Sequence, residues 1–232
     1  MNVELTKSFF AEAAHHNPRG NEKTSRLHGH SFDITLVVEG EVLSEPAWLI
    51  DYGDITAAFN PLYEQIDHAV LNEIEDLADP TVHGLRDWLF RKLKPALPCL
   101  KDVRLRLVGA CSFAPERVPP RPEEGLPAAI RFTFEAAQSQ AQLPETHKCH
   151  NMHGHSYRVE VAADDLEAVN EPLREIYAIL DHRCLNDIPG LESATCEIIC
   201  YWLWERLKMH HAGVRAVGVQ ETNFARCLYY GK

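Results

Sequence analysis

The sequence predicts an α+β protein built as two tandem units, each an antiparallel four-stranded sheet with two helices on one face. Three observations carry this: a motif that occurs twice, a proline-rich stretch between its copies, and the same order of alternating and helical patterns on both sides. "LHGHSF" at residues 27–32 returns as "MHGHSY" at 152–157, an offset of 125 residues. "FAEAAHH" (10–16) faces "FEAAQSQ" (134–140), and "LVGACSFA" (107–114) faces "GVQETNFA" (218–225). "IDHAVLN" (66–72) faces "LDHRCLN" (180–186), and "PTVHGLRDWLFRKL" (80–93) faces "ATCEIICYWLWERL" (194–207), both at an offset of 114. The fall in offset means that the second copy lacks eleven residues, near "AWLIDYGDI" of the first. Duplication of one unit is the economical explanation.

Each unit opens with strands. "HSFDITLVVEG" and "HSYRVEVAA" alternate apolar and polar residues, as do "DVRLRLV" and "VRAVGVQ" near the unit ends. The middle of each unit is helical: "DYGDITAAFNPLYEQI" and "LEAVNEPLREIYAIL" come first. Then Leu85, Trp88, Leu89 and Leu93, or Ile199, Trp202, Leu203 and Leu207, fall on one apolar helical face. Trp88, Trp202 and Trp204 read as packing residues, and "ARCLYYG" as an extra strand at the end. Residues 114–128, "APERVPPRPEEGLPA", are too rich in proline for regular pairing and read as a linker between unit 1–113 and unit 129–232. Small open sheets leave strand edges, so closure into a barrel by pairing or oligomerisation is expected.

Composition narrows the function. A net charge of -11 without a Lys/Arg cluster gives no basic face for nucleic acid or an anionic membrane, and points instead to a small-molecule ligand. The seven cysteines include no Cys-x-x-Cys pair, the N-terminus shows no secretion signal, and no apolar run reaches the roughly 20 residues of a membrane span. A cytoplasmic chain with reduced thiols is expected. Thirteen histidines are many for 232 residues, and histidine is the commonest metal ligand.

In a strand, His28 and His30 point to one side roughly 6.5 to 7 Å apart while Gly29 turns away. His15, ending the preceding strand, supplies a third imidazole, which makes the three-histidine set of catalytic zinc with one position open. A single His-x-His on a solvated strand arises by chance; its recurrence at His153 and His155 argues for metal.

The ordered set of an Ala-His strand end, Cys-x-x-x-His-Gly-His, Asp-His-x-x-Leu-Asn, Thr-x-Glu before a helix and a terminal Glu-Thr resembles the 6-pyruvoyltetrahydropterin synthase and 6-carboxytetrahydropterin synthase family over nearly all of both halves. The resemblance implies the tunnelling fold, subunits closed into a barrel, active sites between subunits and a homo-oligomer. It implies Zn2+ on three histidines, a cysteine proton acceptor, an Asp-His relay from a neighbouring subunit and a glutamate that anchors a pterin.

Carried over residue by residue, the first unit keeps His15, His28, His30 and the pair Asp67 and His68, but has Thr24 for the cysteine, His83 for the helix-start glutamate and Ala110 for the anchor. The second keeps Cys149, His153, His155, Asp181, His182, Thr195, Glu197 and Glu221, but has Gln138 for the first metal histidine. His147 and His150 are the nearby substitutes, without strand geometry to place them. One good metal site and one degenerate site follow, with the first unit's zinc set facing Asp181 and His182 and, on this reading, the second unit's pterin anchor. The implied activity is a zinc-dependent pterin lyase acting on dihydroneopterin triphosphate, on the route to 7-deazaguanine nucleosides such as queuosine if 6-carboxytetrahydropterin is made. The alternative is a catalytically lapsed pterin- or purine-binding zinc protein.

Overall fold

The computed structural model describes residues 1–42, 45, 47–210 and 213–232. In the first unit β1 (Asn2–His15) and β2 (His28–Glu41) form a long antiparallel hairpin whose register sets His15 opposite His28. Then follow α1 (Tyr52–Ile66), the two-residue β3 (Ala69–Val70), α2 (Val82–Leu93) and β4 (Leu100–Leu107), in the sheet order β3-β1-β2-β4. Asp51 and Thr81 start the two helices by accepting hydrogen bonds from Gly53 N and Gly84 N.

The linker carries β5 (Glu116–Val118), which pairs with β6 (Ala129–Gln138). The second unit continues through β7 (His153–Ala163), α3 (Leu166–Leu180), β8 (Arg183–Cys184), α4 (Cys196–His210), β9 (Val214–Thr222) and β10 (Ala225–Tyr229). Gln138 pairs with His153 as His15 pairs with His28, which fixes the equivalence of the two hairpins. The eleven-residue difference is shared: β2 has 14 residues against 11 in β7, and the loop before α1 is eight residues longer than the loop before α3.

Each sheet packs one face against its own two helices. Phe32, Ile34, Leu36, Phe59, Leu85, Trp88, Leu89 and Leu93 form the first core, and Phe134, Tyr157, Val159, Leu173, Ile199, Trp202, Leu203 and Leu207 belong to the second. Side chains of this size contribute about 1.5–3 kcal/mol each when fully buried.

Two expectations are corrected. Neither sheet is a simple antiparallel four-stranded one: β3 and β8 are two-residue strands that run parallel to β1 and β6, and the second sheet has six strands. The linker supplies one of these, because Arg117 and Val118 leave backbone groups free to pair between the prolines and Val118 and Leu126 are buried with Ala129, Ala162 and Ala216. Among the described residues neither sheet closes into a barrel, and β4 is a free edge of the first.

The units meet through the sheet faces turned away from the helices, and the contact is backbone to backbone. A Cβ on Gly29 would lie 2.2 Å from the Gly154 Cα, and one on Gly154 would lie 2.1 Å from the Gly29 Cα. Only glycine permits that approach. Beside it Ser31 N donates to Ser156 Oγ at 3.1 Å and Ser156 N donates to Ser31 Oγ at 3.0 Å, a reciprocal pair across a pseudo-twofold axis. The glycines that separate the paired histidines in sequence are therefore the seam between the units.

Candidate functional site

Two histidine-rich pockets flank this seam, each completed by the opposite unit. In the first, donor atoms of His15, His28 and His30 lie within 4.8 Å of one another. Every ring is held from behind at Nδ1: His15 by Pro80 O at 2.7 Å, His28 by Arg26 O at 2.7 Å and His30 by Glu135 Oε2 at 2.6 Å. This leaves each Nε2 for the cluster, and His15 Nε2 is buried without a partner. Burial, with repulsion from neighbouring imidazoles, lowers His15 to about 3, His28 to about 2 and His30 to about 3, so all three rings are neutral. Neutral imidazoles, oriented by outer hydrogen bonds and carrying an orphaned buried nitrogen, fit a zinc ion.

The second unit delivers Asp181 and His182 to this cluster. The His182 ring stacks on His28 with centroids 4.4 Å apart, and its Nδ1 lies 2.9 Å from Asp181 Oδ2. Asp181 also accepts from Glu135 N at 2.9 Å and pairs with Lys23 of the first unit. Burial would raise its carboxyl, but these partners outweigh burial and lower it to about 2. His182 holds φ at 53° and His68 at 57°, left-handed values that cost a non-glycine residue energy and mark both positions as constrained. In each case the histidine backbone N–H donates at 2.6 Å to a glutamate carbonyl of its own unit, His182 to Glu135 and His68 to Glu12, which holds the turn.

The second pocket, about 560 Å³, is lined by Gln138, Gln140, Cys149, Thr195, Glu197 and Glu221 among others. Thr195 caps α4, its carbonyl accepting from Ile199 N at 2.9 Å, so the first turn of that helix presents Glu197 to the pocket. From the first unit come Asp67 and His68. The His68 ring lies 4.4 Å from that of His153, and its Nε2 is 3.7 Å from Cys149 Sγ. Asp67 Oδ2 stands 3.1 Å from His68 Nδ1, and Lys148 donates to the same oxygen at 3.0 Å. Burial, reinforced by the charges of Glu221 and Asp67, raises the Cys149 thiol above its ordinary value.

Here the metal set is not equivalent to the first. Gln138 Oε1 accepts from Gln140 Nε2 at 3.2 Å, and His155 Nδ1 lies 2.9 Å from Glu12 Oε2. Burial opposes charge on His155, yet Glu12, Glu221 and Asp67 together raise it, the opposite of the direction for His30. The corresponding His30–Glu135 contact is a neutral hydrogen bond, with Glu135 pushed up to about 8 by burial. Gln138, His153 and His155 do not fit the three-histidine pattern.

The geometry thus brings His15, His28 and His30 together beside Asp181 and His182. It does not bring Thr195, Glu197 and Glu221 there: these line the pocket of Cys149, on their own unit's side of the seam. His147 and His150 are engaged elsewhere, with His147 Nδ1 accepting from Cys149 N and His150 Nδ1 held by Leu143 O. The sequence reading missed Glu12 and Glu135, three residues before the strand-end ligand in each unit, and Lys23 and Lys148, directly before Thr24 and Cys149. Their recurrence at equivalent positions was the available signal.

Fold and site define a two-unit α+β protein whose histidine pockets are shared across an internal pseudo-twofold axis. The 6-pyruvoyl tetrahydropterin synthase family model matches residues 4–109 and again 128–232, and the chain belongs to that family as a tandem pair. A 6-carboxy-5,6,7,8-tetrahydropterin synthase of Synechocystis sp. is 35% identical over 123 residues, 50% of this chain and 94% of that protein. A dihydroneopterin monophosphate aldolase of Pyrococcus furiosus is 31% identical over 85 residues, 37% of this chain and 69% of its own length. The solved structure of Caenorhabditis elegans 6-pyruvoyl tetrahydropterin synthase aligns over 46% of this chain and 89% of its own, at 18% identity and a TM-score of 0.42. Among the described residues no helix is long and apolar enough to cross a membrane.

Proposed function

We propose that the chain is a pterin lyase whose working pocket is the one lined by Cys149 and Glu221, with dihydroneopterin triphosphate as substrate. The observation that carries this reading is the meeting of Cys149 from the second unit with His68 from the first, at 3.7 Å, in the pocket that holds Glu221. Glu221 accepts two parallel hydrogen bonds from the amino group and ring N–H of a pterin. Thr195 and Glu197 border the same ring site. Cys149 takes a proton from the substrate side chain, and because its thiol is raised it must first pass its own proton on. Nε2 of His68, 3.7 Å from Cys149 Sγ, is the atom placed to receive it.

His15, His28 and His30 would hold zinc, which supplies Lewis-acid polarisation of an oxygen when bound. None of the three lines the pocket of Glu221. That separation favours a second reading, a pterin- or purine-binding zinc protein without turnover. The free edge of β4 supports assembly of several chains into a closed barrel, a homo-oligomer.

The deciding experiment measures product formation from dihydroneopterin triphosphate by the purified chain and by Cys149→Ala. Turnover abolished in the variant, with pterin binding retained, is the expected result. No turnover by the parent, with both proteins binding pterin equally, would sink the lyase reading and leave the binding protein.

A further inference from the structure

Since Gln138, His153 and His155 do not make the three-histidine set, the second pocket raises the question of what its remaining donors hold. We propose that a divalent transition-metal ion, zinc by its donor chemistry, binds there through His68, Cys149 and His153, a set drawn from both units. One donor atom from each of the three lies within 4.8 Å of the others. His153 is fully buried, its Nδ1 is tied to Asn151 O at 2.8 Å, and its Nε2 has no partner. The His68 ring is 4.4 Å away, backed by Asp67, which places a carboxylate behind a ligating imidazole. Cys149 Sγ, 3.7 Å from His68 Nε2, completes the set.

A thiolate with two imidazoles selects zinc or its cobalt analogue over magnesium and calcium, which prefer oxygen. Binding converts the thiol to a thiolate and releases one proton to solvent; nothing is oxidised or reduced. The first pocket has no counterpart, because Thr24 stands where Cys149 does. The consequence for activity rests on the lyase reading: the ion takes the thiol and the imidazole that proton transfer needs, so occupancy and turnover exclude one another.

Cobalt titration of the full chain tests this by two readouts, ions bound per chain by dialysis and the near-ultraviolet thiolate-to-cobalt absorption. The expected result is two ions per chain, the second bringing the thiolate band. Cys149→Ser, a half-exposed conservative change, should remove the band and weaken the second ion about tenfold or more. His68→Gln should weaken that ion too, and Cys111→Ser, which changes the thiol nearest His30 and Glu135, should keep the band. A single ion per chain, two ions without the band, or a band lost in Cys111→Ser and kept in Cys149→Ser would overturn the proposal. Turnover of the dihydropterin by the same chain before the second ion is added reads the lyase separately: a thiolate band on titration, with no turnover before that ion binds, supports the ion site and fails the lyase.

Discussion

His30 Nδ1 and Glu135 Oε2 stand 2.6 Å apart, one from each unit, and both side chains are buried. Ser156 Oγ donates to the same carboxylate oxygen at 2.6 Å. The orientation of His30, a candidate metal ligand of the first unit, is therefore set by the second unit. Glu135→Ala should lower the affinity of the His15, His28 and His30 set about 10–100-fold, read by competition with a chelator. Glu12→Ala, which touches His155, should leave that affinity in place.

The seam between the units leaves no room for a side chain. Gly29→Ala drives a Cβ into the Gly154 backbone, which has no flexible end to move, and should cost about 3 kcal/mol or more in urea unfolding. Gly218→Ala, where the nearest atom is Leu228 Cδ1 at 3.3 Å, should cost less than half as much. Equal costs would mean that the seam relaxes freely.

Acid should loosen the shared pockets. Asp67 and Asp181 are lowered from 3.8 to about 2 in the folded chain, so each contributes stability that is fully present above the unfolded value and is lost as pH falls from about 4 toward 2. Asp181→Asn should lower the urea midpoint near neutrality and flatten its fall over that acid range, measured at a series of pH values.

Pterin affinity should depend on the second unit alone. Glu221→Gln replaces an acceptor by a group that also donates, and should cost about 2–4 kcal/mol of pterin binding by calorimetry. Thr24→Cys should leave turnover unchanged, because strand register puts Leu107, and no carboxylate, at the first-unit position equivalent to Glu221, and Thr24 is held in its own turn by its N–H and Oγ1, which both donate to Asn21 Oδ1. A rate gain in Thr24→Cys would move catalysis to the first pocket.

Local rules made much of this molecule legible in the sequence. Alternation in "HSFDITLVVEG" and the stripe of Leu85, Trp88, Leu89 and Leu93 marked the strands and helices, since a pleat and a helical turn impose their periods directly on burial. The repeat located both histidine-bearing hairpins, and Gln138 was recognisable as the counterpart of His15 because hairpin register ties it to His153. The linker was misread at Glu116–Val118, where pairing depends on an available edge of β6 and not on local composition.

What the sequence determined by itself was the inventory: two units, three histidines in one, Cys149 and Glu221 in the other. Which residues share a pocket was decided only by the tertiary structure, because that depends on how the two sheets dock. Docking turns on Gly29 against Gly154, and it carries Asp67 and His68 to Cys149, Asp181 and His182 to His28, and Glu135 to His30. Residues separated by 81 to 154 positions become neighbours there, held by contacts between units that no local period or spacing encodes.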